Sequence, residues 1–586
     1  MGYNLICGSS APPSSALRAT CSMVSIKADM PPRIAYSESS IAPCPVLSSM
    51  YQTPTMYQTH KRNLRMTAPI EVLPHISRTS VTASASAHQG DALENNDNET
   101  QISPKAAFRD MMLQSNHVPF YVMLPLDTVT VVNTLRRVKA LQAGLRALKL
   151  IGVDGVMMYI WWGIVEGEGP RRYNWSAYAT LVNLVKSVGL KIQASMCFHG
   201  CSNASENCSI SLPQWIMSIG ETNPDIFFSD RAGHRFQGCL SLSIDSLPLL
   251  DGRSPLQVYQ DFLESFRGEF DAYFGETIVE VIMSLGPEGE LRYPAYQEGT
   301  GLWKFPGVGE FQCYDRYMLE SLKTYAEILG KPEFGQACPE DVPTYNQSPN
   351  ECGFFTEANG SWRTPPGELF LSWYSGELVA HGSRMLNIVS SVFQKNRVVV
   401  VGKVAGVHWW YKSKSHAAEV TAGYYNIEGQ DGYDKVAKMF KDNSAMMILP
   451  CMEMSDKEQP SDARCSPEML LLQIRKACSR NGVPVSGQNS LPRFDTVAYS
   501  RIKDSIHRLD YPFIPRLAVF TFLRMGESLF YAEHWRLFVN FVRNMDKDVV
   551  WGDLQDGSSS EGGGQNRTFL SISCFKGEGI HLQPIC

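Results

Sequence analysis

The peptide GPEGELRYP, at residues 286–294, concentrates groups that can hold or transfer a proton. Glu288 and Glu290 stand close together in it, next to Arg292 and Tyr293. A carboxyl group within hydrogen-bond reach of a leaving group can act as a general acid, and Glu290 is our candidate for that role. The alternative is that Glu290 serves only in an ion pair with the neighbouring arginine.

Further polar side chains stand at the ends of apolar runs, namely His199, Lys403, His408 and Arg524. Aromatic pairs accompany two of these runs, Trp161 with Trp162 and Trp409 with Trp410. Aromatic faces beside polar donors suit a carbohydrate, because a sugar offers apolar ring faces edged by hydroxyl groups. Alternatively, the tryptophans are core residues and the histidines bind no ligand.

Eight short apolar runs along the chain alternate with segments of helical period. The runs are FYVMLPL (120–126), GVMMYIWW (155–162), KIQASMCFH (191–199), VEVIMSLG (279–286), VVVVGKVAGV (398–407), MMILPCMEM (446–454), PVSGQN (484–489) and LAVFTFLRM (517–525). Eight such units predict an α/β protein with a closed (β/α)8 barrel. Reacting groups in this fold lie at the carboxyl ends of the strands, so the polar residues at the run ends are expected to converge.

The composition divides the chain into four parts. Residues 1–90 are rich in Ser, Thr, Ala and Pro and carry seven basic against three acidic residues, which predicts a plastid transit peptide or a disordered extension. Residues 91–116 form an acidic linker, 117–545 the barrel and 546–586 a Gly/Ser-rich tail. The long connection between Gly286 and Val398 is expected to pack as a subdomain over the barrel mouth.

The charge pattern and the cysteines restrict the function. A net charge of -6 without long runs of one sign gives no electrostatic footprint for nucleic acid. No apolar stretch of about 18 residues is present, so no membrane-spanning helix is predicted.

The 15 scattered cysteines are expected to be reduced thiols. The spacing of Cys197, Cys201 and Cys208 around His199 does not match a structural zinc site, and no metal is predicted.

The sequence resembles the plant β-amylase family in seven peptides, which are GVDGVMMYIWWGIVE, RYNWSAY, GPEGELRYPAY, GEFQCYDRYM, HWWYKSKSHAAEVTAGYYN, SDKEQPSDA and SGQNSLPRFD. The resemblance covers about residues 117–545. It implies a (β/α)8 barrel that releases β-maltose from the non-reducing ends of α-1,4-glucans by inversion, without metal or organic cofactor. Inversion requires one protonated carboxyl group and one ionised carboxylate on opposite faces of the sugar.

The resemblance assigns the two carboxyl positions to Glu290 and to position 488. Glu290, the acid, is present, but the family's SGENALPR peptide reads SGQNSLPR here and places Gln488 at the base. An amide cannot accept the proton of an attacking water. Because general-base catalysis contributes roughly 10²–10⁴-fold, this change alone predicts a very slow or undetectable enzyme.

Three further departures from the family pattern point the same way. Tyr159 stands where the family has an Asp in its second strand, and it should disturb the subsite for the non-reducing end. The family's Gly-rich lid bears an Asp, whereas CSNASENCSIS at residues 201–211 has no Gly and places Asn207 there. Pro450 replaces a Thr of the family's inner loop, which removes a hydroxyl and a backbone N–H.

Other positions agree with the family's sugar-contacting residues, which are His199, Lys403, His408, Asn489, Leu491 and Arg524. We therefore predict a non-catalytic β-amylase-like protein of the plastid stroma that binds α-glucan or regulates starch breakdown with a protein partner.

A weakly active β-amylase, with Glu453 assisting water, is the first alternative. The second is a protein-interaction module whose cleft Tyr159 blocks. Whether Cys201 and Cys208 respond to redox state stays open.

Overall fold

The computed structural model describes residues 117–203, 208–297, 299–507, 513–546, 569–573 and 581–585. The predicted transit segment 1–90, the linker 91–116 and the altered lid position Asn207 lie outside the described residues. In the described part, no helix is both long and apolar enough to cross a bilayer.

Eight parallel strands close into a barrel. They are β1 Phe120–Met123, β2 Gly155–Trp161, β3 Lys191–Cys197, β4 Ile278–Met283, β5 Val399–Val404, β6 Met446–Leu449, β7 Val485–Gln488 and β8 Val519–Phe522. Each strand pairs in parallel with the next one along the chain, and β8 pairs with β1, which closes the ring. Seven strands lie within one predicted run each, and β4 starts one residue before its run, so the predicted (β/α)8 barrel is confirmed.

The α-helices of the described residues are α1 Val138–Ile151, α2 Trp162–Val165, α3 Ser176–Val188, α4 Gln214–Thr222, α5 Pro255–Phe270, α6 Arg316–Ile328, α7 Pro365–Val392, α8 Ala417–Thr421, α9 Gly432–Asp442, α10 Pro467–Asn481, α11 Thr496–His507 and α12 Ala532–Arg543. Short 3₁₀ helices cover Pro224–Ile226, Leu242–Ile244, Asp271–Tyr273, Pro287–Gly289, Pro332–Gly335, Pro349–Glu351, Ser361–Arg363, Asp456–Glu458 and Glu527–Phe530. Local sequence explains several helix starts. The hydroxyl of Ser254 and the amide of Gln257 form a capping box at α5, and Pro255 occupies the first turn.

The connection between β4 and β5 contains two different structures. Helix α7 packs against α5, β4 and β5 and therefore belongs to the ring of helices around the barrel. The preceding residues 292–364, called the insert below, contact the loop that follows β5. There the indole of Trp409 donates a hydrogen bond of 3.0 Å to Gly307 O, and the Thr421 hydroxyl donates one of 2.6 Å to Val308 O. The predicted subdomain is thus shorter than the whole connection.

Short strands outside the barrel form three antiparallel pairs and one extension of the barrel sheet. The antiparallel pairs are Cys201–Asn203 with Cys208–Ile210, Phe227–Ser229 with Arg235–Leu240, and Phe569–Ser573 with His581–Ile585. The last pair lies in the tail, which the sequence analysis described only by its Gly/Ser-rich composition. The two-residue strand Glu290–Leu291 pairs in parallel with β5, with Glu290 in register with Lys403.

A buried polar layer crosses the barrel interior. Gln193 of β3 donates from Nε2 to Glu280 of β4 over 2.8 Å, and its Oε1 accepts from the hydroxyl of Thr521 over 2.9 Å. Burial raises the pKa of Glu280 to about 7, although the hydrogen bond from Gln193 opposes the shift. Thr521 is the register partner of Gln488 on the neighbouring strand, so this layer adjoins the position where the resemblance places a base.

His117 links the start of the barrel to its end and predicts a pH dependence of stability. Its ring nitrogens lie 2.6 Å from an Asp546 carboxylate oxygen and 2.9 Å from one of Asp154. Partial burial would lower the pKa of His117, but the two carboxylates raise it overall. A group whose pKa is raised on folding stabilises fully below its unfolded pKa, about 6.5 for histidine, and loses this contribution as the pH rises through the folded value.

We therefore expect His117→Gln to lower the free energy of unfolding more at pH 6 than at pH 8.5. The ring is about half exposed, so the difference should stay below about 1 kcal/mol. Urea unfolding of both proteins at the two pH values measures it. Equal losses at pH 6 and pH 8.5 would contradict this role of the histidine.

Candidate active site

A cavity opens where the carboxyl ends of the barrel strands meet. Its described lining residues are Met123, Met157, Tyr159, Ser195, His199, Ile282, Met283, Ser284, Glu288, Gly289, Lys403, Ile448 and Gln488. Seven of the barrel strands, β1 to β7, contribute to this list, which is the usual construction of a site in this fold. Five residues named in the sequence analysis are among these lining residues: Tyr159, His199, Glu288, Lys403 and Gln488.

Glu290 is held by two cations. Its Oε2 accepts from Arg292 Nε over 2.9 Å and its Oε1 lies 3.0 Å from Lys403 Nζ, and the residue is only 7% exposed. The register between Glu290–Leu291 and β5 places Glu290 beside Lys403, so the backbone pairing itself sets this contact. The ion pair considered from the sequence is present, and Lys403 strengthens it from the other side.

Glu288 is the carboxylate that reaches the cavity. The turn from Gly286 to Glu290 is tight, and Glu288 adopts a left-handed backbone with φ 56° and ψ 20°, which a non-glycine residue adopts at a cost of about 1–2 kcal/mol. This conformation leaves the side chain 48% exposed, with Oε2 3.2 Å from the Arg292 guanidinium. Gly289 follows with φ 80°, and a Cβ there would come within 3.3 Å of the His199 ring. The sequence placed Glu288 at the rim but gave the chemical role to Glu290.

Gln488 ends β7 in an apolar part of the wall. It is 3% exposed, and its Nε2 lies 3.9 Å from the Met157 sulfur. Met157 and Ile448 line the cavity next to it. A carboxylate at this position would lose its hydration, and burial would raise its pKa. The surroundings of position 488 therefore suit a neutral side chain.

Tyr159 projects from β2 into the same cavity. Its ring stacks on Trp161 with centroids 5.6 Å apart and an interplanar angle of 13°. The phenol hydroxyl donates to the Met123 sulfur over 3.3 Å, and the Arg524 guanidinium carbon lies 5.5 Å from the ring centroid. These contacts hold the ring across the site, where the resemblance expects a small anionic side chain. Arg524 is not among the described residues that line the cavity.

His199 is a neutral ring at the cavity wall. Burial lowers its pKa to about 4. The cations of Lys403 and Arg292 also lower this pKa, whereas the carboxylate of Glu288 opposes the shift. Its Nδ1 lies 2.8 Å from the Ser284 hydroxyl, and Trp161 meets the ring edge-on at 5.6 Å. A neutral imidazole held in this way can donate or accept one hydrogen bond to a hydroxylated ligand.

Several other predicted site residues form internal contacts. The amide of Asn489 donates to Leu491 O and Leu523 O, over 2.8 and 3.1 Å, and its oxygen accepts from Leu523 N. Both ring nitrogens of His408 lie 3.1 Å from acceptors, Gly406 O and Gln459 Oε1, and burial lowers its pKa. These side chains shape the loops around the cavity and do not line it.

Glu453 does not lie at the rim, which corrects the expectation from the sequence. It is fully buried, and its Oε1 accepts from the backbone N–H groups of Ser490 and Leu491 over 2.9 and 2.6 Å. Burial raises its pKa to about 7. Pro450, also buried, packs close to Gly406. Neither residue is among the described residues that line the cavity, so Glu453 is not positioned to activate a water beside Gln488.

Core packing is the interpretation that the structure supports for both tryptophan pairs. Trp161, Trp162 and Trp409 are at most 2% exposed, and the half-buried Trp410 donates its indole N–H to Pro306 O over 2.5 Å. Trp409 packs among Tyr296, Trp303 and Phe305. A face of Trp161 supports Tyr159, so this tryptophan acts on the cavity through its neighbour.

The sequence analysis missed the apolar and small polar lining, chiefly Met123, Met157 and Ser284. One signal was available: Met157 precedes Tyr159 by two positions in a strand, and alternate residues share a face. The contact of Ser284 with His199 joins two loops 85 positions apart in the sequence, and only the closed barrel brings them together. Among the described residues, no group of three His, Cys, Asp or Glu side chains could hold a metal ion.

Glu288 is the only carboxyl group among the described lining residues. An inverting glycosidase needs two carboxyl groups about 6.5–9.5 Å apart, with room for a water between them. Here both nearby acids, Glu288 and Glu290, come from one turn and share Arg292, and the end of β7 presents the Gln488 amide. The described lining provides hydrogen-bonding groups for hydroxyls but holds no second carboxyl group.

A (β/α)8 barrel with an acid-bearing turn after β4 and a polar cleft at its carboxyl face is the architecture of barrel-fold glycoside hydrolases. Comparison with known proteins makes this specific, because the sequence model of glycosyl hydrolase family 14 matches residues 121–550. The chain belongs to this family, the β-amylases.

Individual relatives agree with this assignment. The chain is 47% identical over 436 residues to "Beta-amylase 2, chloroplastic" of Oryza sativa subsp. japonica, which covers 74% of this chain and 78% of the relative. It is 44% identical over 441 residues to "Inactive beta-amylase 9" of Arabidopsis thaliana, with 75% and 79% covered. The solved catalytic domain of beta-amylase from Paenibacillus polymyxa matches with a TM-score of 0.61 at 27% identity and covers 73% of this chain and 98% of that domain.

Proposed function

We propose that this protein is a β-amylase-like protein of starch breakdown that binds α-1,4-glucan at the barrel cleft without hydrolysing it at enzymatic rates. The observation that carries the proposal is Gln488, a neutral amide set in an apolar wall at the position of the general base. The cleft keeps donors and acceptors for hydroxyl groups in Glu288, His199 and Lys403.

Two relatives frame the biological setting. One is named as an inactive β-amylase and one as chloroplastic, so this family contains both a non-hydrolytic member and plastid members. We place this chain in the plastid stroma, where it acts as a regulator or scaffold for a protein partner of starch breakdown. The fully buried Glu453 weighs against the alternative of a weakly active enzyme.

Glucan binding is tested by the mobility of the protein in native gels that contain soluble starch. The unaltered protein should be retarded by the polysaccharide. Glu288→Gln should weaken binding about tenfold or more, because a hydrogen bond to a charged group contributes about 1.5–3 kcal/mol. The matched control is Glu428→Gln, which alters a carboxylate of similar exposure, also 3.2 Å from an arginine, outside the cleft.

Absence of retardation for the unaltered protein would contradict the glucan-binding proposal. It would favour the interpretation that Tyr159 blocks the cleft and that the barrel serves only protein contacts. Equal weakening by both substitutions would show that the effect of Glu288→Gln comes from net charge rather than from the cleft.

A further inference from the structure

Two thiols lie side by side in the insert. The sulfur atoms of Cys313 and Cys338 are 3.7 Å apart, and both residues are free cysteines. A disulfide bond is about 2.05 Å long, so the two sulfurs would need to approach by roughly 1.7 Å. Rotation of one cysteine side chain together with a shift of the loop that holds Cys338 would have to supply this movement.

The backbone next to Cys313 belongs to a capped helix start, whereas Cys338 lies in a loop. Cys313 precedes α6, whose first turn is capped by Asp315 through a 3.0 Å hydrogen bond from Met318 N. Cys338 follows the 3₁₀ turn Pro332–Gly335, which packs on α6. A Cβ at Gly335 would lie 2.5 Å from the Ala326 Cβ, so only glycine permits this close contact. Beyond that turn Cys338 lies in a loop without regular structure.

The two thiols differ in access to solvent. Cys313 is fully buried, and burial raises its pKa well above the ordinary value. Cys338 is partly exposed and can meet a reagent from solution. Reactive cysteine pairs combine such an accessible attacking thiol with a protected resolving thiol.

We propose that Cys313 and Cys338 form a redox-active dithiol, a modification site that closes reversibly to an intramolecular disulfide by exchange with a protein or small-molecule disulfide. This site goes beyond the proposed function and does not depend on whether the cleft binds glucan. The disulfide would join the residue before α6 to the loop after Pro332–Gly335 and so restrict the motion of this part of the insert.

The exchange balances in two steps. The Cys338 thiol loses its proton, and its thiolate attacks one sulfur of the oxidant disulfide, forming a mixed disulfide and expelling one thiolate. Cys313 then gives up its proton and attacks the Cys338 sulfur, which forms the Cys313–Cys338 bond and expels the second thiolate. Two protein thiols are oxidised by two electrons, the oxidant is reduced to two thiols, and the two protons end on those thiols.

The test equilibrates the full chain with mixtures of oxidised and reduced dithiothreitol and maps cross-linked peptides by mass spectrometry after acid quenching. We expect one peptide pair joining Cys313 to Cys338 that disappears on reduction. The oxidised form should also melt roughly 2 °C or more above the reduced form, because a cross-link restricts the unfolded chain. Cys338→Ser should abolish both the cross-link and the shift.

Cys201→Ser is the matched control, because Cys201 is another partly exposed thiol with a neighbouring cysteine, Cys208, and its replacement should leave the Cys313–Cys338 link intact. Blocking accessible thiols of the native unaltered protein with iodoacetamide should prevent the link, which keeps the test valid if Cys338→Ser fails to fold. Failure to form the link in the oxidising mixture, or its formation in protein already alkylated in the native state, would overturn the proposal.

Discussion

The double variant Gln488→Glu with Tyr159→Asp is expected to release maltose from soluble starch at least about 10²-fold faster than the unaltered protein, because it returns a general base and an open subsite together. Gln488→Glu alone should stay close to the unaltered rate. While the Tyr159 ring fills the cavity, the new carboxyl group would lie beside the Met157 sulfur away from water, and burial would favour its protonated form, which cannot activate water; in the double variant the loss of the ring admits water and favours the ionised form. Tyr159 would also still stack on Trp161 across the cavity.

Maltose release by the unaltered protein and by the single and double variants is measured in one assay. Adding Glu290→Gln to the double variant is the control, and it should return the rate to the starting level if Glu290 acts as the acid. The altered lid and Pro450 remain in place, so the gain should not reach the rate of a full enzyme. Enzyme-like release by the unaltered protein would contradict the interpretation of Gln488 as a lost base.

Arg292→Ala is expected to lower the free energy of unfolding by about 3–5 kcal/mol, because it leaves buried Glu290 without one of its two cations. The arginine is 3% exposed, donates to Glu290 over 2.9 Å, and lies with its guanidinium carbon 4.2 Å from the Tyr296 ring centroid. Truncation therefore removes a charge partner and an aromatic contact at once. Chemical denaturation measures the loss.

Arg171→Ala provides the comparison for that loss. Arg171 pairs with Asp261 at 3.1 Å but is 63% exposed, so its removal should cost at most about 1 kcal/mol. If Arg292→Ala lowered the free energy of unfolding as little as Arg171→Ala does, the ion pair around Glu290 would not stabilise the fold as expected.

The local sequence was sufficient for the architecture. Seven strands lie within the apolar runs and β4 starts one residue before its run, because burial on both faces of a parallel barrel strand leaves a continuous hydrophobic signature in the chain. The identity of residue 488 and its likeness to a family peptide led to the proposal of a lost base for the same reason, since both are properties of one short segment. The hairpin in the tail was missed, because a Gly/Ser-rich composition carries no strand period.

Tertiary structure alone decided which groups face each other. It turned Glu288 rather than Glu290 into the cavity, buried Glu453 against the Ser490 backbone, and brought Cys313 to Cys338. These outcomes depend on a left-handed residue in one turn, on the closure of the ring and on the packing of the insert. The hydrophobic pattern of a segment indicates which of its own residues are buried. Contacts between segments depend on register and barrel closure, which no single segment encodes.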